Sequence, residues 1–140
     1  MNFFIDTNVL IDFISARKPF GYDAALLFQA AEEKKTKLHI AALSFWNTHY
    51  YLKKLMPETE VRKIFFELTE LVEVVPHTKA LLRLAMKSPH KDFEDAMQIV
   101  AAESLNNIKG IITRNKKDFK HSSLPLYLTE EALVLIPSQR

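Results

Sequence analysis

Phe3-Phe4-Ile5 is an apolar run without alternating polar positions, the pattern of a strand covered by helices on both faces. It predicts a central strand of a parallel sheet. After Asp6-Thr7-Asn8, all residues of the capping type, Leu10, Phe13 and Ile14 recur at helical spacing until Lys18-Pro19 and Gly21 interrupt. Leu27, Phe28 and Ala31 share one face of a second helix over residues 24–33, and residues 38–41 read as a short second strand. Ser44 is placed to cap a helix carrying Trp46, Tyr50 and Leu52 that ends at Met56-Pro57. Residues 58–68 read as the next helix and 71–75 as a strand. A helix from Thr78 to Met86 closes at Ser88-Pro89, and Asp92 opens a strongly apolar helix running to Leu105. A buried strand over 108–113, a strand near 124–127 and a short helix from Thr129 complete the chain. Strands alternating with helices imply right-handed crossovers, a mostly parallel sheet and helices on both faces, an α/β fold.

The 140 residues suit one domain, expected over residues 1–140, and 48% apolar with 26% charged residues is enough for a packed core. Nineteen Lys and Arg against seventeen Asp and Glu leave a net charge of +2, too small to identify a nucleic-acid partner by electrostatics alone. The absence of cysteine excludes disulfides, thiolate zinc sites and cysteine nucleophiles, so any metal must sit on oxygen or imidazole. His39, His49, His77, His90 and His121 show no ligand spacing on a single helix. No basic segment leads into a long apolar run at the N-terminus, and no later run approaches about 18 apolar residues. The expected location is the cytoplasm, without a membrane partner.

Ligands of open parallel sheets bind beyond the carboxyl ends of the strands, which makes Asp6, just after the first strand, the leading candidate. Thr113-Arg114-Asn115 and Asp118 follow a later strand and belong to the same edge. Asp95 lies in the first turns of the most apolar helix, in line with Ile99 and Ala102, and a buried carboxylate needs a partner, hydrogen bonds or a metal. Each acid also has a plainer reading. Asp92 and Asp6 are good helix caps, and an acid in a first helical turn gains from the helix dipole.

Taken in order, Asp6-Thr7-Asn8, Asp92-Phe93-Glu94-Asp95-Ala96 and Thr113-Arg114-Asn115 with Asp118-Phe119 resemble the three motifs of the PIN domain, and the chain is similar to the VapC-type toxin ribonucleases over nearly its whole length. The resemblance implies a three-layer α/β/α sandwich and hydrolysis of RNA phosphodiesters with Mg2+ or Mn2+. It implies Asp6, Asp95 and Asp118 as the catalytic and metal-binding acids. It also implies a small antitoxin protein as partner and a homodimer. Thr7, Asn8, Asn47, Asp92, Glu94, Thr113 and Asn115 are then expected to support the acids or touch substrate, roles shared with simple capping. Arg114, Lys116 and Lys117, with Lys120 nearby, form a basic approach for RNA. Trp46, Tyr50 and Tyr51 have the spacing of core or dimer packing rather than of a base-stacking platform.

One position departs from the family pattern. The helix after the second strand usually carries a Glu, and Ser44-Phe45-Trp46-Asn47-Thr48 offers Asn47 instead. An amide oxygen can ligate a hard cation but brings no charge. Two readings follow: a nuclease of reduced activity, or a weakened PIN-like module that binds RNA or protein. Phosphoryl transfer to Asp6 is disfavoured, because position 8 of the Asp-x-Asp signature is Asn.

Overall fold

A computed structural model describes residues 1–137; the last three positions of the expected domain lie outside the described residues. The elements run β1 (Asn2–Ile5), α1 (Thr7–Ser15), α2 (Gly21–Glu32), β2 (Lys37–Ala41), α3 (Ala42–Leu52), α4 (Glu58–Leu71), β3 (Glu73–Val75), α5 (Lys79–Met86), α6 (Phe93–Glu103), β4 (Gly110–Ile112), a 3-10 helix (Lys116–Phe119), β5 (Leu126–Tyr127) and α7 (Thr129–Leu135). All five strands are parallel, in the order β3-β2-β1-β4-β5.

The unbroken apolar run of β1 does what its pattern predicts. Phe3, Phe4 and Ile5 are fully buried, with Phe3 and Ile5 facing one layer and Phe4 the other. On the first face Phe3, Ile5, Leu38, Ile40 and Ile112 pack with apolar side chains of α1, α2, α4 and α7. On the second, Phe4, Ala41 and Ile111 meet α5 and the nearly all-apolar α6. The result is a three-layer α/β/α sandwich. From β1 the chain proceeds outward to β2 and β3, then returns to place β4 and β5 on the other side. The switch point therefore falls between β1 and β4, and the crevice at their carboxyl ends lies beside Asp6 and Thr113.

Several boundaries differ from the pattern-based expectation. Helix α4 runs on through Leu71, so β3 begins only at Glu73: Leu68 and Val72 are buried in the first core, and packing there outweighs the strand propensity of residues 71–72. Helix α3 starts at Ala42, directly after β2, which places Ser44 inside the helix rather than at its cap. The strand expected over 108–113 is confined to Gly110–Ile112, and a 3-10 helix follows it where the pattern predicts no element. Trp46 and Tyr50 are not core residues, being 81% and 61% exposed, and Phe93 leaves half of its surface open at the start of α6. Asp92 caps its helix through its side chain as expected, and Thr78 caps α5 by accepting the Leu81 N–H.

Candidate functional site

Asp6 leaves β1 at the switch point and is only 2% exposed. Its backbone N–H donates to the Ile112 carbonyl (3.0 Å), continuing the ladder between β1 and β4 one residue past the strands. The carboxylate does not cap α1 as the sequence suggested. It turns instead toward two neutral donors, the Thr113 hydroxyl (2.8 Å to Oδ2) and the Gln98 amide (3.2 Å to Oδ1). Gln98, fully buried on α6, also accepts the Thr7 N–H at 3.1 Å, so a single side chain ties α6 to the start of α1. Burial pushes the Asp6 carboxyl above its usual range, and the hydrogen bonds from Thr113 and Gln98 only partly oppose that shift.

Glu94 and Asp95 of α6 lie within electrostatic reach of Asp6, and Asp118 of the closing motif lies beside Asp95. Asp92 caps α6 by accepting the Glu94 N–H (2.9 Å), which leaves Glu94 and Asp95 in the first turn. Asp95 is half-buried and its carboxyl is pushed up to about 7, first by burial and then by the charges of Asp92, Asp6, Asp118 and Glu94. Glu94 is raised in the same sense by burial, against a hydrogen bond from Asn47. Its Oε2 also lies 3.4 Å from the Thr7 hydroxyl, and that hydroxyl meets buried Ser44 at 2.7 Å. Asn47 thus reaches the cluster through Glu94. Asp92, Asp95 and Asp118 border one cavity of about 190 Å³. A wider opening, about 600 Å³, lies beside Met1, Lys37 and Glu73 at the opposite ends of the strands, away from the acids.

The basic residues of the closing motif divide. Arg114 sets two guanidinium nitrogens against Asp12 (2.8 and 3.0 Å) and stacks over the Phe20 ring at 3.9 Å. Asp12 is buried on α1 and also receives Arg17 at 2.9 Å. Lys116 pairs with Glu131 of α7 (2.6 Å). Lys117 faces the cavity shared by Asp95 and Asp118. Asn115 donates its backbone N–H to the Thr113 hydroxyl (3.0 Å), which orients that hydroxyl toward Asp6. Asn8 is half-buried at the start of α1 and contributes its backbone to the surroundings of Asp6.

Sequence reasoning missed Gln98, Ser44 and Asp12. Gln98 carried a signal, as a lone uncharged polar residue within the apolar stretch of α6. Ser44 read only as a cap because its partner Thr7 lies 37 residues away, and of the two partners of Asp12 Arg17 is local while Arg114 lies 102 residues away.

A buried carboxylate held only by neutral donors, beside a second whose protonation is favoured by four neighbouring acids, lacks positive charge. Among the described residues neither Asp6 nor Asp95 has a Lys, Arg or His within ion-pair distance. Oxygen donors of this kind suit a hard divalent cation, and Asp6, Asp95 and Asp118 are the side chains that can offer them. Among the described residues no three acids or imidazoles lie close enough together to hold a metal ion, so Asp6, Asp95 and Asp118 are not drawn into one cage.

The PIN domain family model matches residues 2–117. No curated protein sequence matches the chain significantly. Among solved structures the chain is similar to one described as the crystal structure of VapBC2 from Rickettsia felis bound to a DNA fragment from their promoter, with a TM-score of 0.66 at 17% identity, over 91% of this chain and 98% of that one. At that identity the likeness speaks for the fold. With a family match over residues 2–117, most of its length, the chain belongs to the PIN-domain family.

Proposed function

We propose that this protein is a divalent-metal-dependent endoribonuclease, with Asp6, Asp95 and Asp118 as the acids that hold Mg2+ or Mn2+. The observation that carries the reading is the uncompensated charge at the switch point: Asp6 is buried on neutral donors alone, and Asp95 is pushed up to about 7 by burial and by the acids around it. When bound, the cation supplies an activated water and positive charge for the phosphate undergoing attack. The chain's own residues prepare for it. Thr113 and Gln98 each take up one lone pair of the Asp6 carboxylate and fix its plane, leaving further lone pairs for ligation. Asp95 and Asp118 border the open cavity through which a substrate phosphate can approach. Asn47 and Thr7 hold Glu94 beside Asp6, where it adds negative charge to the cluster. No side chain among these is set up as a covalent nucleophile, so direct attack by water is the reaction expected.

A toxin role with a small antitoxin protein as partner is supported by the likeness to VapBC2, and the exposed Trp46 and Tyr50 on α3 offer apolar surface for such a partner or for a second copy of the chain. The other reading, a module that binds RNA or protein with weakened catalysis, is favoured by one feature, the amide of Asn47 where the family pattern carries a carboxylate. Incubating purified protein with structured and unstructured RNA in Mn2+, beside Asp6→Asn and Asp95→Asn, separates the two. The nuclease reading expects cleavage by the parent protein that falls at least about 100-fold in each variant. Equal cleavage by all three would mean the acids do not carry it, and no cleavage by any would favour the binding module.

A further inference from the structure

The closing motif divides its cations between the fold and the open surface. Two of the three cations singled out there are already committed. Arg114 is bound to buried Asp12 through two nitrogens, and Lys116 is bound to Glu131. Lys117 and Lys120 have no such partner: among the described residues neither lies within 4.0 Å of a carboxylate oxygen. The 3-10 turn explains the division. With about three residues per turn, positions 117 and 120 fall one above the other. Phe119 points inward, 1% exposed, and Lys116 is drawn aside toward α7. The two free lysines therefore border the same cavity of about 190 Å³ as Asp95 and Asp118, and Lys91, just before the cap of α6, borders it too.

A small cavity that presents three carboxylates and three unpaired ammonium groups is a poor site for a simple anion or a simple cation, since each is repelled by half of the lining. It suits an extended ligand that sets one phosphate against the ammonium groups and carries the next past the carboxylates, a polynucleotide strand rather than a single ion. His90 and His121 close the rim with ring centroids 6.3 Å apart, and the buried His90 Nδ1 has no partner among the described residues.

We propose that Lys117 and Lys120, with Lys91 nearby, form a backbone-phosphate subsite for single-stranded RNA beside the acidic cluster, while Arg114 and Lys116 serve the fold. The proposal rests on the nuclease reading for its substrate, and it is tested without cleavage. In an Asp95→Asn background with chelator present, binding of a short fluorescent single-stranded RNA is followed by anisotropy over a range of KCl concentrations. Removing both lysines, as Lys117→Ala with Lys120→Ala, is expected to weaken binding and to reduce the slope of log K against log salt by about 0.7 for each phosphate that is no longer neutralised. Lys116→Ala is expected to leave the slope unchanged. The arginine pair Lys117→Arg with Lys120→Arg is expected to restore binding, which a mere loss of folding would not allow.

An unchanged slope in the double alanine variant, an equal loss in Lys116→Ala, or no binding by the Asp95→Asn parent overturns the proposal. Cleavage by the unmodified protein in Mn2+ is measured separately. A parent that cleaves while the double variant keeps its full slope sinks the subsite alone. A parent that fails to cleave while the double variant loses its RNA sinks the nuclease reading alone.

Discussion

The Thr113 hydroxyl donates a hydrogen bond to Asp6 Oδ2 across 2.8 Å, joining residues 107 positions apart in sequence at the carboxyl ends of two adjacent strands. This hydrogen bond fixes the orientation of a carboxylate that has no cationic partner among the described residues. Thr113→Val keeps the shape and removes the donor. It is expected to lower stability by about 1.5–3 kcal/mol, the range for a hydrogen bond to a charged group, read from urea unfolding. A change within error would show that the hydroxyl is not needed to hold Asp6.

Asp12 anchors the closing motif from below. It is 2% exposed and holds both Arg17 and Arg114, so Asp12→Ala leaves two guanidinium groups without their carboxylate. The expected loss is about 3–5 kcal/mol in chemical denaturation. Glu58→Ala, on the exposed pairs with His49 and Arg62, is expected to leave the unfolding midpoint essentially unmoved.

Acidity at the site predicts an unusual pH profile for the metal-free protein. The Asp95 carboxyl sits at about 7 when folded against 3.8 for the free group, and Asp6 and Glu94 are raised in the same direction. Between those values the folded protein retains protons that the unfolded chain has released. The stabilising contribution is therefore complete below 3.8 and is lost as pH rises to about 7. Urea midpoints measured in chelator from about pH 5 to about pH 8, a range that spans the folded Asp95 value, should fall for the parent protein and fall less for Asp95→Asn. Parallel curves would contradict this crowding of negative charge.

Much of this arrangement was readable in the sequence, for identifiable reasons. Phe3-Phe4-Ile5 announced a strand buried on both faces because nothing polar interrupted it, and the strand–helix alternation then placed Asp6 and Thr113 at one edge. What escaped was set by tertiary packing. The spacing of Trp46 and Tyr50 fits a helix but does not say which face turns inward, and both turn out. The division of the basic residues was equally hidden, because Arg114 finds Asp12 across 102 residues and Lys116 finds Glu131 only once α7 has docked. Ser44 looked like a cap because capping chemistry is local, whereas its actual partner is the Thr7 hydroxyl.

Asn47 offers a direct handle on charge at the site. It lies near enough to Glu94 to act on its carboxyl, so Asn47→Glu introduces a further carboxylate beside Glu94. Calorimetric titration is expected to give about tenfold tighter Mn2+ binding, since ligand charge tunes affinity for hard cations. The same variant should be less stable than the parent in chelator, through added repulsion. Unchanged Mn2+ affinity would place position 47 outside the reach of the cation.

Under the proposed function, Asp6 and Asp95 share a divalent cation at the switch point. Electron paramagnetic resonance of free Mn2+ during a titration with protein tests it without any RNA. The parent protein is expected to remove Mn2+ from solution at millimolar concentrations or below, and Asp6→Asn and Asp95→Asn are each expected to abolish this uptake. Uptake by both variants equal to that of the parent, or none by the parent itself, would contradict it.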